Sequence, residues 1–380
     1  MSARLCRYCT VILTLVCATA VLVGQSKTLD HMYTASKGEI PVLTGSHHLI
    51  FQGERDITGY NNHPYLIYHS NRFYAIWSSG FNGGSHTGQR ILFATSTDGK
   101  SWTPSRTLVS PSEDSYYIAR GLWIRGGHLI ALGTRCTGEN RETNVEALEA
   151  YEWDQENEDW KLKAIIGQHI TTNFPPTLLP TGEWLLTYRY KKKNRVDGVI
   201  IGGNQALDSW HKIPFQGSRQ NQFTEANAIL RSDGKIAVHL RLNNRASGSG
   251  FLYRSLSEDG GRSFTEPVRT DFPDCKSKHF CLKLSNDIYI LISNPYTRKT
   301  LQVAGSQDGI VFSRESILRY KPIAVRNPGH DKRSSPYTYP HAIERDGYVY
   351  IAYSVNRDDI WLTRVSIGEI EQKLGKRNLP

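Results

Sequence analysis

A two-part phrase recurs six times along this chain and constrains its fold more than any other feature. Each copy is a short apolar segment, a turn and a second apolar segment, as in P-P-T-L-L-P-T-G-E-W-L-L-T-Y, which is the pattern of a β-hairpin. The turns begin at Ser70, Gly126, Thr181, Asp233, Asn286 and Asp346, at steps of 56, 55, 52, 53 and 60 residues. A repeat of this length has room for about four short strands, which predicts an all-β, six-bladed propeller.

A second, polar motif follows three of the hairpins. It occurs as S-T-D-G-K-S-W at 96–102, S-E-D-G-G-R-S-F at 257–264 and S-Q-D-G-I-V-F at 306–312. Degenerate copies lie at 153–160 and 204–210. In this motif the Asp accepts hydrogen bonds from turn amides, the Gly adopts a conformation that other residues avoid, and the aromatic residue packs between sheets. We therefore expect the motifs to be structural and to supply no catalytic group.

These motifs resemble the Asp-box, or BNR, repeats of the sialidase (neuraminidase) superfamily. The resemblance implies a sialidase-like β-propeller and a carbohydrate ligand. Composition agrees, because 20 Tyr and 8 Trp against two Met favour β structure. No linker-like segment interrupts the repeats, so we expect residues 40–370 to form a single domain.

The N-terminal segment has the features of a secretory signal. Arg4 and Arg7 precede an uncharged stretch of 13 residues from Val11 to Val23, and small or polar residues follow. This stretch is shorter than the roughly 20 residues that a spanning helix needs. The sequence thus predicts a cleaved signal peptide at 1–24, a secreted or periplasmic protein, and no stable membrane anchor.

The charge of the chain favours an anionic partner. The 46 Lys and Arg less the 36 Asp and Glu leave a net charge of +10, or +8 without the two arginines of the signal segment. The positive charge is scattered, and the chain contains no phosphate-binding loop or dinucleotide fingerprint. We expect an acidic glycan or polysaccharide as the substrate, no nucleic acid, and no cofactor.

Three cysteines follow the signal segment, and they allow two interpretations. In the first, Cys275 and Cys281 form a local disulfide while Cys136 is buried and free. In the second, His279 completes a C-x3-H-x-C cluster that holds a metal ion, although three ligands in one short segment make an incomplete site.

Repeat phase predicts which residues meet at the propeller axis, because the innermost strand of each blade begins there. Counting back about seven residues from each turn reaches polar residues: Asn62 with His63, Arg120, Asn173, Glu225, His279 and Tyr339. The end of the second strand brings Arg135, Tyr188 with Arg189, Arg241, and Asn356 with Arg357. Arginines on several blades indicate a site for an anion rather than an empty funnel.

The resemblance to sialidases extends to individual residues. The unit T-E-A-N-A-I-L-R-S-D-G-K-I-A-V-H-L-R is similar to the blade that begins with a catalytic Glu and ends with a substrate-binding Arg, which implies Glu225 and Arg241. The segment S-N-P-Y-T-R-K-T implies Arg298 as another carboxylate-binding residue. The last unit, beginning Y-P-H-A-I-E-R-D-G, implies Tyr339 as the nucleophile.

This set of residues suits the chemistry of an acidic sugar. Sialic acid carries a carboxylate on its anomeric carbon, so a neutral phenol meets less repulsion than a carboxylate nucleophile would. A nearby Glu takes the phenol proton, and arginines bind the acid bidentately.

Two family positions differ in this chain. The first blade has N-N-H-P, so His63 or Asn62 replaces an arginine, and Arg120 could complete the arginine cluster. The loop S-S-G-F-N-G-G-S-H-T-G-Q-R lacks the expected acid–base Asp, for which Asp56 or His86 could substitute.

Three functions remain open. The first is an exo-acting, sialidase-like glycoside hydrolase that removes a terminal acidic sugar from glycans, with Tyr339 and Glu225 as the reacting pair. The second is a polysaccharide lyase acting on uronic-acid polymers, for which the chain offers suitable residue types in His63, His86, Tyr117, Arg135 and Tyr188. The third is a non-catalytic glycan-binding propeller, because fold does not imply function.

Overall fold

The computed structural model describes residues 31–34, 39–81, 88–138, 144–190, 195–217, 223–242, 250–321, 323–327 and 335–374. The expected signal peptide at 1–24 and the candidate residue His86 lie outside this part of the chain. Among the described helices, none is long and apolar enough to cross a membrane.

The described strands form six antiparallel blades. Two strands, β1 (Tyr33–Thr34) and β2 (Ser46–Gln52), precede the first blade. Blade 1 contains β3 (Tyr60–His69), β4 (Arg72–Gly80), β5 (Arg90–Ser96) and β6 (Arg106–Val109). Blade 2 contains β7 (Ser115–Arg125), β8 (His128–Thr137), β9 (Val145–Asp154) and β10 (Asp159–Gln168). Blade 3 contains β11 (Ile170–Thr171), β12 (Thr177–Leu178), β13 (Trp184–Tyr190), β14 (Arg195–Gly202) and β15 (Trp210–Pro214).

The second half of the ring has the same plan. Blade 4 contains β16 (Phe223–Leu230), β17 (Ile236–Leu242), β18 (Phe251–Ser257) and β19 (Val268–Pro273). Blade 5 contains β20 (Phe280–Lys283), β21 (Tyr289–Ser293), β22 (Leu301–Ser306) and β23 (Phe312–Arg319), to which β1 adds in parallel. Blade 6 contains β24 (Tyr337–Arg345), β25 (Tyr348–Val355) and β26 (Asp359–Ser366), and a helix, α1 (Ile367–Leu374), follows it.

The ring is closed by strands from both ends of the described chain. β2 pairs antiparallel with β26, from Ser46 opposite Arg364 to Gln52 opposite Asp359, and so forms the outer edge of blade 6. Around the axis, the first strands of neighbouring blades contact one another. The predicted all-β, six-bladed propeller is therefore confirmed, and the six predicted turns all lie at the first hairpin of a blade.

The hydrophobic core lies between neighbouring blades. Between blades 1 and 2, for example, the rings of Tyr74 and Phe93 pack edge-on against Trp153 at 5.4 and 5.7 Å between centroids. Such aromatic pairs add to the free energy gained by burying their area. The abundance of Tyr and Trp in the sequence is explained by these interblade layers.

The Asp boxes form the turns between the third and fourth strands of blades 1, 4 and 5. In blade 1, the Asp98 carboxylate accepts hydrogen bonds from the amides of Lys100 at 2.8 Å and Ser101 at 2.9 Å. The Ser96 hydroxyl donates to the same carboxylate at 3.0 Å. The carboxylate of each box is thus used within its own turn, as expected of a structural motif.

Asp98→Ala is expected to lower the free energy of unfolding by about 1–3 kcal/mol, because the turn amides lose their acceptor. Turnover per folded molecule should not change, since Asp98 lies in a turn between outer strands. Urea unfolding together with activity on the folded fraction checks both expectations. Lost turnover in a fully folded variant would show that the box is more than structural.

Candidate functional site

Three innermost strands carry a β-bulge at the same place, and each bulge contains a residue with positive φ. These residues are His63 in β3 with φ of 54°, Glu225 in β16 with 50°, and Tyr339 in β24 with 58°. The strand pairing skips two residues at each of these places. Positive φ is uncommon for residues with a Cβ, and bulges next to active sites redirect side chains. The same departure from regular pairing on three blades indicates a functional centre.

Glu225 and Arg241 form a nearly buried ion pair across the first hairpin of blade 4. The Arg241 guanidinium donates to the Glu225 carboxylate, and the two side chains are 14% and 5% exposed. Burial alone would raise the pKa of Glu225, but the charges of Arg241, Arg189 and Arg298 lower it below its usual value. Glu225 is therefore ionised at neutral pH and able to accept a proton.

Tyr339 belongs to the same electrostatic cluster. Burial and the charge of Glu225 raise the pKa of Tyr339 well above its usual value, against the opposing charges of Arg241 and Arg298. The phenol consequently keeps its proton at neutral pH. The ring of His63 packs edge-on against that of Tyr339, with 4.6 Å between centroids, and the His63 Nδ1 lies 3.2 Å from the Ser78 hydroxyl.

Arg298 reaches the cluster from a loop of blade 5. Its guanidinium donates to the carbonyl of Lys276 at 2.6 Å, and its own carbonyl accepts from the amide of Tyr337 at 3.2 Å. The second contact ties the Arg298 loop to the strand that carries Tyr339. The structure thus brings together four residues that the resemblance singled out: Glu225, Arg241, Arg298 and Tyr339.

Three further charged residues join this cluster, and two of them, Asp274 and Lys278, were not predicted from the sequence. Arg189, which repeat phase reached together with Tyr188, acts electrostatically on Glu225. The charge of Asp274 acts on Arg241, and Glu225 acts in turn on Lys278, which has no exposed surface. Among the described residues around Glu225, cations outnumber carboxylates, so the site favours an anionic ligand.

Asp274 combines burial with access to a cleft. Burial raises the pKa of its carboxyl to about 6, although the charge of Arg241 and hydrogen bonds from the Ser277 and Lys276 amides oppose the rise. The side chain lines a cleft of about 450 Å³, together with Asp271, Cys275 and Tyr296. A carboxyl that is protonated in mildly acidic solution therefore lies beside the cluster.

The remaining candidates have other surroundings. Arg135 donates to Glu149 at 2.7 Å, and Tyr188 lies among apolar residues between blades 2 and 3. Arg120 is fully buried, donates to the Thr134 hydroxyl at 3.0 Å, and affects the cluster through its charge on Lys278. The structure does not bring Arg135 or Tyr188 to the Tyr339 cluster.

The last two candidates are Arg357 and Asp56. The Arg357 carbonyl accepts from the Asn61 amide, with an N to O distance of 2.6 Å, and the Arg357 side chain is mostly buried. Asp56 has a side chain that is 70% exposed, with Arg55 4.0 Å away. The interactions described for Asp56 involve neither Tyr339 nor Glu225.

The cysteine segment lacks the predicted disulfide. No disulfide joins Cys136, Cys275 or Cys281, so the predicted Cys275–Cys281 disulfide is wrong. His279 is buried beside the rings of Phe174 and His239, and burial lowers its pKa to about 4. No group of three potential metal ligands occurs within the described part of the chain.

Comparison with known proteins identifies relatives of the fold. A family model described as a BNR repeat-like domain matches residues 173–351. Among curated proteins, no match is found. A solved Dyadobacter fermentans protein of unknown function is similar at a TM-score of 0.69 and 14% identity, over 86% of this chain and 98% of that one.

Two similar structures are glycoside hydrolases. The Trypanosoma rangeli sialidase in complex with sialic acid has a TM-score of 0.60 and 12% identity, over 88% of this chain and 61% of the sialidase. This chain thus spans less than two thirds of that enzyme. The Penicillium chrysogenum α-L-arabinanase complexed with arabinobiose has a TM-score of 0.60 and 13% identity, over 86% of this chain and 99% of that one. Identities this low establish the fold, and they confirm the predicted resemblance to BNR-repeat propellers of the sialidase type.

Proposed function

We propose that this sialidase-like BNR-repeat propeller is an exo-acting glycoside hydrolase that removes a terminal acidic sugar from glycans. The observation that carries the proposal is the pairing of a neutral, partly exposed Tyr339 with an ionised Glu225 among Arg189, Arg241 and Arg298. The glycoside hydrolase-like fold supports the reaction class. The surplus of cations supports an acidic substrate.

The proposed reaction proceeds in two displacements. In the first, the Tyr339 oxygen forms a bond to the anomeric carbon while Glu225 takes the phenol proton and the glycosidic bond breaks. In the second, water attacks the anomeric carbon, the bond to Tyr339 breaks, and Glu225 returns its proton to the phenolate. The arginines bind the substrate carboxylate bidentately and hold the anomeric carbon near Tyr339.

The leaving oxygen needs a proton in the first displacement, and Asp274 is the donor in this proposal. It lies beside Arg241, faces the cleft, and holds a proton below a pH of about 6. The departing aglycone would occupy that cleft. In the second displacement, the Asp274 carboxylate takes a proton from the attacking water, which restores the acid.

Turnover is expected to fall about tenfold per pH unit as pH rises above about 6, because Asp274 then loses the proton that the leaving group needs. Glu225 stays ionised in this range, since its pKa is below its usual value. Asp274→Asn should abolish this alkaline limb and lower kcat/KM for natural linkages far more than for a 4-methylumbelliferyl glycoside, whose leaving group needs no acid in the first displacement. Values of kcat/KM for both substrates between pH 4 and 8 check this.

Asp271→Asn is the matched control, because Asp271 lines the same cleft but uses its carboxylate to bind the amides of Met32 and Tyr33. Its alkaline limb should remain. An unchanged limb in Asp274→Asn, or equal losses on the two substrates, would contradict the role of Asp274 as the acid.

A lyase is the second candidate, and the contact between the His63 and Tyr339 rings favours it, because a base and an acid lie together. Product analysis separates the two reactions. Release of free sialic acid from sialylated glycans supports the hydrolase, whereas ultraviolet absorbance from an unsaturated uronide supports the lyase. Binding of a glycan without any product would support the third function, a non-catalytic glycan-binding propeller.

A further inference from the structure

Lys278 precedes β20 and lies where several blades meet. Its side chain is 0% exposed, and its ammonium is 4.4 Å from the centroid of the Tyr65 ring in blade 1 and 4.8 Å from that of Phe174 in blade 3. It also donates to the Pro340 carbonyl of blade 6 at 3.4 Å. A side chain from blade 5 that contacts blades 1, 3 and 6 must lie at the propeller axis.

Packing alone does not explain a cation in this place. Burial lowers the pKa of Lys278 to about 7, with the charge of Arg120 acting in the same direction and that of Glu225 opposing it. An apolar side chain of the same length would fill the space between the two rings without desolvating a charge. The lysine therefore makes the folded protein less stable than an apolar residue would. Its contacts with three other blades indicate a role besides packing.

The contact with Pro340 occurs where regular strand pairing is interrupted. β24 pairs with β25 through Thr338 opposite Ser354 and then His341 opposite Ala352, so the ladder skips Tyr339 and Pro340. Lys278 supplies a donor to the carbonyl within this skipped pair. Tyr339 adopts its positive φ directly before that carbonyl.

We infer that Lys278 is a positioning residue, which fixes the bulge of β24 and thereby directs the Tyr339 hydroxyl toward Glu225 and the arginines. It acts through the Pro340 carbonyl and the packing at the axis, without touching the substrate. This inference rests on the proposed function insofar as Tyr339 is the nucleophile. A displacement of about 1 Å in a reacting group is enough to slow a reaction about a hundredfold.

The test compares Lys278→Met, which keeps the length and removes the donor, with wild type. Crystal structures are expected to show the Tyr339 hydroxyl displaced by about 1 Å relative to Glu225. Labelling of Tyr339 by 2,3-difluorosialic acid, followed by mass spectrometry, is expected to slow at least tenfold. Affinity for the unreactive analogue 2-deoxy-2,3-didehydro-N-acetylneuraminic acid should stay within twofold, which a general loss of structure would not allow.

Lys283→Met is the matched control, because Lys283 lies at the end of β20, the strand that Lys278 precedes, but is exposed and paired with Asp287 at 2.9 Å. It should label at the wild-type rate. Lys278→Arg keeps a cationic donor and should label faster than Lys278→Met, with a smaller displacement of the Tyr339 hydroxyl. Lys278→Leu, which also lacks the donor, replaces Lys278→Met if the methionine variant does not fold.

Two results would overturn the role of Lys278: an unmoved Tyr339 hydroxyl in the variant that lacks the donor, or labelling and analogue affinity that fall by the same factor in that variant. Absence of labelling in wild-type protein would count against the proposed sialidase-like activity instead. In that case the crystal structures still decide whether Lys278 fixes the bulge.

Discussion

Tyr339→Phe is expected to lower turnover by several powers of ten while the fold and ligand binding remain nearly unchanged. The substitution removes the oxygen that forms the covalent bond, and it retains the ring that packs against His63. Each power of ten corresponds to about 1.4 kcal/mol of transition-state stabilisation. Steady-state kinetics on the acidic glycan that proves active, together with thermal unfolding, measures both effects.

His63→Ala is the comparison that separates the two enzyme reactions. In a hydrolase with Tyr339 as the nucleophile, this variant should lose less turnover than Tyr339→Phe, because His63 packs beside the reacting phenol. In a lyase with His63 as the base, the order is reversed. Near-normal hydrolysis by Tyr339→Phe would end the assignment of Tyr339 as nucleophile.

Arg241→Met is expected to have the largest effect on stability and to abolish binding of acidic sugars. It removes the partner of a nearly buried Glu225 carboxylate, and breaking such a pair costs about 3–5 kcal/mol. The same change removes a guanidinium that would bind the substrate carboxylate. Denaturant unfolding and calorimetric titration with sialic acid measure the two losses.

The double variant Arg241→Met with Glu225→Gln distinguishes the structural effect from the functional one. Without a buried carboxylate to leave unpaired, much of the stability should return, while binding and turnover should not. Arg135→Met is the matched control, because Arg135 is paired with the buried Glu149 but lies outside the cluster. It should destabilise the protein without weakening sialic acid binding, and an equal loss of binding would contradict the assigned site.

Repeat phase pointed to two residues that the structure places in bulges of inner strands. Glu225 and Tyr339 both lie in such bulges, and the sequence pattern around each is local enough to be seen without the fold. At β20 the described pairing is regular from Phe280 to Lys283, with no bulge. Lys278 and His279 precede this strand in an unpaired segment, and Lys278 is the residue that contacts blades 1, 3 and 6.

Tyr188 and Arg189 are neighbours in β13, so strand alternation places their side chains on opposite faces of the blade. The register change at this point skips Asp197 of β14 and leaves that alternation intact. Tyr188 packs between blades, and Arg189 acts on Glu225. Repeat phase reached both residues, and the packing of the blades decided which of the two acts on the cluster.

Local sequence was sufficient for the hairpins, the Asp boxes and the number of blades, because turn residues and strand alternation act over a few positions. Tertiary structure alone decided which charges surround Glu225 and Arg241. Asp274 and Lys278 come from the segment between blades 4 and 5, and Arg189 comes from blade 3. The pKa values of Asp274 and Lys278 are shifted by burial and by charged groups distant in the sequence. The cysteines follow the same rule: only five residues lie between Cys275 and Cys281, yet the loop and strand that hold them do not join the two in a disulfide.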